Sequence, residues 1–182
     1  MSLRLSLLRR FRPRLLMKKS LNDLFALTAH AFGREAPDLR GIPWAECLRQ
    51  YAVFTKAEVE KALADRPDIG PLKERLAKSA AALGRSLRAR LGIRTAREAL
   101  DGLALLYGAL EIDFHADAAG RITIPRCFFT RHYTPEVCRV ISALDEGLAD
   151  GFTGGGRLRF VRRITEGSAC CTAVLELNEG RA

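Results

Sequence analysis

The hydrophobic period of this chain changes near residue 109, and no other feature limits the possible folds as sharply. Before that point apolar residues recur at three- and four-residue spacings, as on one helix face. After it, short runs alternate apolar with polar residues, as in half-buried strands, with one helical stretch between them.

In the first half, Leu21, Leu24, Phe25, Thr28 and Phe32 predict a helix over 20–33, with Ser20 as N-cap and Gly33 as stop. Pro43 and Trp44 restart a helix expected to reach about Phe54. Thr55 with Glu58 fits a capping box, which predicts a separate helix from that point. A long helix over 71–91 closes at Gly92. Thr95 with Glu98 makes a second capping box, opening a helix to about Gly108.

In the second half, 110–114 and 121–129 predict a hairpin around a turn at 115–120. Thr134, Pro135 and Glu136 then supply a capping hydroxyl, a proline for the first helical position and an acid for the first turn. Val137, Ile141, Leu144 and Leu148 form that helix's apolar face, and the glycine-rich stretch 151–156 ends it. Residues 157–164 and 170–177 predict a second hairpin around TEGSA. The expected fold is α+β: a helical N-terminal half, then a ββαββ unit whose antiparallel sheet packs on one helix. Residues 1–16 are read as a basic extension, 17–108 as the helical region and 109–182 as the ββαββ ligand-pocket region. The last two are expected to form one compact domain.

Composition narrows the class. At 48% hydrophobic and 28% charged, the 182 residues have the apolar mass for a core. No apolar run approaches the ~20 residues of a membrane-spanning helix. The net charge of +9 falls to +4 once the five arginines of 1–16 (Arg4, Arg9, Arg10, Arg12 and Arg14) are set aside. That segment reads as a disordered basic arm, as an upstream extension before a start at Met17, or as an amphipathic segment touching a membrane surface or a protein partner. Five cysteines, an odd number with two adjacent, argue against a secreted disulfide framework and for a reducing, cytoplasmic setting.

The chemistry-bearing residues gather in the second half. Cys138, Ser142 and Asp145 share one stripe of the 134 helix, beside its apolar face. Cys127 precedes that helix and Cys170 opens the last strand. A helix N-terminus would lower the thiol pKa of Cys138. In RLRFVRRIT, alternation puts Arg162 on the apolar face with Phe160 and Ile164. A guanidinium there needs an anion: Asp145, Glu146 or a ligand carboxylate. Cys127, Cys138 and Cys170 are also candidate ligands for zinc or an iron–sulfur centre, although no CxxC or HxxxH spacing is present. His132 reads as an exposed loop residue. TGGGR at 153–157 precedes a strand, so it reads as a helix stop rather than a phosphate cradle.

Three features carry a resemblance. They are the cysteine- and aspartate-bearing helix VCRVISALDEGLADGF, the strand F-x-R-x-x-T of Phe160, Arg162 and Thr165, and the turn EGSACC. Residues 125–177 resemble the L-2-amino-thiazoline-4-carboxylic acid hydrolase family, and more distantly the 4-vinyl-reductase type of small-molecule-binding domain. Ser142 stands where that family often has a second cysteine, and Ser168 where it often has an aspartate. The resemblance implies a hydrolase-like protein that opens a cyclic C–N bond in a small carboxylate-bearing molecule. Arg162 would hold the carboxylate, with Ser142 and Cys127 at the ligand. Cys138 or Cys170 would be nucleophile or metal ligand, and Asp145 base. A non-catalytic sensor or carrier for a small ligand or metal is the alternative. A nucleic-acid or membrane-surface protein is a third reading, from the basic helix at 71–91. Sparse aromatics, at 7%, disfavour nucleic acid. A homo-oligomer is compatible with all three.

Overall fold

The computed structural model of the protein describes residues 14–65 and 67–177. Most of the basic segment, residues 1–13, lies outside the described residues.

Helix α1, Arg14–Ala31, begins before the expected cap. Ser20 is buried in its interior, because the preceding Arg, Leu, Met and Lys are all good helix formers and nothing there halts the helix. Gly33 does end it, at φ +72, with its N–H donating to His30 O at 2.9 Å. Helix α2, Trp44–Asp65, is continuous, which corrects the break expected at Thr55. The buried stripe of Cys47, Leu48, Tyr51, Ala52, Val59 and Ala62 runs through that position. The Thr55 hydroxyl bonds back to Tyr51 O at 2.8 Å instead of capping. Helix α3, Gly70–Leu91, ends on Gly92 at φ +66. Helix α4, Ala96–Ala109, has the capping box read from the sequence: Thr95 Oγ1 accepts from Glu98 N–H at 3.2 Å, and Glu98 Oε2 from Thr95 N–H at 3.3 Å.

The strand expected over 110–114 does not form. The amides of Leu110 and Ile112 both donate to Tyr107 O, at 2.9 and 3.0 Å, so the helix end claims the donors a ladder would need. Only an isolated bridge, Ile112 to Cys127, remains. Strand β1 is His115–Ala116, and β2 is Arg121–Ile124. Pro125 has no amide to extend β2, and Phe128–Arg131 forms a 3₁₀ turn.

Helix α5, Pro135–Thr153, starts as expected: Thr134 Oγ1 accepts from Val137 N–H at 3.3 Å. It ends at Gly154, φ +78, so Gly151 is interior to the helix. Strands β3, Arg157–Arg162, and β4, Cys171–Glu176, complete an antiparallel sheet in the order β1-β2-β4-β3. Its inner residues, among them Ile122, Ile124, Leu158, Ala173 and Leu175, are buried in one core with α5. The fold is therefore α+β, with a helical first half and a sheet on one helix.

Helix α3 lies along the other side of α5. The two run in the same direction, since Ala77 meets Gly147 and Ala81 meets Gly151. Part of α3's basic run serves this packing: Arg75 Nε donates to Ala31 O at 3.2 Å and Arg88 Nη1 to Phe152 O at 3.3 Å. Both cations thus meet carbonyls near helix C-termini.

Candidate functional site

A cavity of about 80 Å³ lies between α5, the inner face of the sheet, and the rings of Tyr51, Tyr107, Phe129 and Tyr133. One water needs only ~10–15 Å³ by the same kind of measure, so there is room for several waters or a small organic molecule. The walls are mainly hydrocarbon, with a few polar groups among them.

Helix α5 places Cys138, Ser142 and Asp145 on the cavity, as their spacing predicts. Tyr107 Oη donates to Asp145 Oδ1 at 2.6 Å. Asp145 keeps part of its surface accessible, yet burial dominates its chemistry and raises its pKa from 3.8 to about 6. The Tyr107 bond and the positive charge of Arg163 oppose that rise, while Glu146 adds to it. Burial also pushes the Tyr107 phenol well above its ordinary value, and the neighbouring carboxylate adds to the effect.

The cavity arginine is Arg163, not Arg162. A bulge between Phe160 and Arg162 breaks the alternation of β3. Arg162 pairs with Thr172 and is exposed, while Arg163 lines the cavity. The guanidinium carbon sits 4.8 Å from the centre of the Phe160 ring. Nη2 reaches Ser142 Oγ at 3.4 Å, and that hydroxyl gives its own proton to Cys138 O at 2.7 Å. Nε is buried and has no hydrogen-bond partner among the described residues. Among the described residues no carboxylate forms an ion pair with Arg163, and Glu146 does not pair with it.

Three thiols line the cavity: Cys127, Cys138 and Cys171. Cys170 does not. Cys171 is the first inward residue of β4, opposite Ile124, and its sulfur accepts from Ile164 N–H at 3.3 Å. Burial raises all three thiols, Cys127 to about 12. The lowered pKa expected for Cys138 from the helix N-terminus is thus corrected: desolvation is the larger effect. Among the described residues no three His, Cys, Asp or Glu side chains are grouped to hold a metal ion, so Cys127, Cys138 and Cys170 do not assemble as ligands. His132 is partly buried, its ring 5.1 Å from that of Phe128.

Sequence reasoning missed Tyr107 and Arg163, and chose Cys170 where its neighbour Cys171 lines the cavity. Tyr107 reads as one more apolar position of α4. Nothing local marks the bulge that selects Arg163 over Arg162, whereas the alternation of Cys171, Ala173 and Leu175 with Thr172 and Glu176 could have put Cys171 rather than Cys170 on the inner face.

The chain matches no protein-family model and no curated protein. Of the residues that carry the hydrolase resemblance, Cys138 and Asp145 line the cavity, whereas Arg162 and Cys170 do not. Among the described residues no helix is long and apolar enough to cross a membrane.

Proposed function

We propose that the protein binds a small molecule with a compact apolar body and one anionic group, a carboxylate being the simplest, in the cavity beneath α5. The observation that carries this reading is the guanidinium of Arg163. It faces a largely hydrocarbon cavity, and among the described residues its buried Nε has no hydrogen-bond partner and no carboxylate, Asp145 of the same cavity included, lies within ion-pair distance of it. Burying an unpaired cation is unfavourable, and a forked donor suits a carboxylate. The thiols favour binding over covalent chemistry: raised by burial, they stay protonated and weakly nucleophilic at neutral pH.

The test is thermal denaturation against a panel of small aliphatic and aromatic carboxylic acids, with their amides as controls. Wild type is expected to melt higher with at least one acid, by an amount that grows with concentration. Arg163→Gln is expected to fold and lose that response, whereas Arg162→Gln keeps it. A response retained in Arg163→Gln sinks the reading.

A hydrolytic step in the same cavity is the second reading. It is favoured by Asp145, whose pKa of about 6 suits a general base near neutral pH. Hydrolysis of 2-amino-thiazoline-4-carboxylic acid that rises with pH through about 6 and disappears in Asp145→Asn would support it. No turnover of that compound at any pH would leave binding alone.

A further inference from the structure

The face of the sheet turned away from α5 has no covering element among the described residues, and its side chains form ordered rows. Register puts His115, Thr123, Thr172 and Arg162 in one row across the four strands. Arg121, Val174 and Arg159 make the next row, and Arg157 stands opposite Glu176 beyond it. A groove of about 520 Å³ runs over this face, with Val161, Thr123, Thr172 and Val174 in its lining. Val161 is pushed out by the bulge and is 52% exposed, among the most exposed large apolar side chains described.

Charge on this face is unbalanced. Arg121 is neutralised by Asp117 at 2.6 Å. Arg159 and Arg162 are exposed, and no carboxylate among the described residues lies within ion-pair distance of either. An aliphatic centre of Val161 and Val174, bordered by threonine hydroxyls and free arginines, has the make-up of a protein interface, in which arginine is enriched around an apolar core.

We propose that this outer face docks an acidic segment of another protein. Its carboxylates would meet Arg159 and Arg162, and an aliphatic side chain would cover Val161 and Val174. Three other occupants fit less well. Nucleic acid would find only the His115 imidazole on these rows for its bases to stack on, and Val161 and Val174 offer a phosphate nothing. A second copy would bring the same arginines against themselves in a two-fold contact. An added strand would meet the bulge and arginines of β3, features that discourage edge pairing. The proposal is independent of the ligand cavity, which lies on the other face of the sheet.

The test uses the full chain and a fluorescein-labelled peptide of alternating glutamate and leucine, with binding read by anisotropy. Wild type is expected to bind it, and more weakly as salt rises, because the arginines are exposed. The double variant Arg159→Glu and Arg162→Glu is expected to bind at least about tenfold more weakly. Arg159→Gln with Arg162→Gln should fall between, and Arg163→Gln should match wild type. Circular dichroism checks that each variant is folded. Equal binding by wild type and the charge-reversed variant overturns the proposal, as does no binding to wild type. Binding of poly(uridylic acid) in place of the peptide, lost in the same variant, overturns it in favour of nucleic acid. Self-association in sedimentation that the charge reversal abolishes overturns it in favour of a second copy.

Discussion

Asp145 and Arg163 face one cavity without forming an ion pair, and each carries a different consequence. Burial raises the folded-state pKa of Asp145 from 3.8 to about 6, so the folded protein holds a proton that the unfolded chain releases. Stability therefore falls as pH rises from about 4 to 6, and the full penalty is present above that window. A shift of this size is worth roughly 3 kcal/mol. Asp145→Asn keeps an acceptor for Tyr107 and removes the charge. It is expected to melt higher than wild type at pH 7, with the difference gone below about pH 4. Melting temperatures across that range decide it, and a constant difference would mean that Asp145 does not titrate there. At this scale the sequence was half legible. Cys138, Ser142 and Asp145 reach the cavity because helix periodicity is rigid. Arg163 was not legible, because one extra residue in β3 reverses every inward position after it.

Among the elements, the pairing of α3 with α5 depends most on single atoms. Gly147 and Gly151 bring the α5 backbone against the carbonyls of Ala77 and Ala81, and a Cβ at either glycine would collide with a main-chain oxygen. Neither oxygen can move without moving its helix. Gly147→Ala is therefore expected to destabilise the protein by about 2–3 kcal/mol, although alanine is the better helix former. Urea denaturation checks this, and a neutral or stabilising result would mean that the helices separate freely. The caps of α4 and α5 were readable because a capping box or a Thr-Pro start needs only adjacent residues. Gly151 reads as the beginning of a stop because glycine is ordinarily a breaker, and Gly147 carries no local signal. Only the approach of α3 gives them another use.

Across the whole molecule, the helical half and the sheet half are joined by a buried contact between hydroxyls. Thr55 Oγ1 of α2 lies 2.6 Å from Tyr133 Oη, just ahead of the α5 cap, and both residues are buried. Phe129 links the same halves through the edge of Tyr51, with ring centres 5.9 Å apart. The halves are expected to unfold together, with far- and near-ultraviolet circular dichroism sharing one midpoint. Thr55→Val keeps the volume but orphans the Tyr133 hydroxyl, and is expected to lower stability by about 1–3 kcal/mol while preserving the single transition. Two separated midpoints in wild type would instead make the halves independent. The sequence by itself determined the fold class, the caps of α4 and α5 and the cavity stripe of α5, because periodicity and capping act over a few neighbouring residues. Tertiary structure alone decided that Thr55 is a buried tether, that Gly147 and Gly151 are contact points, and that Arg163 faces the cavity. Those outcomes depend on which distant segment lies opposite, and on a bulge that shifts the register, and neither is encoded locally.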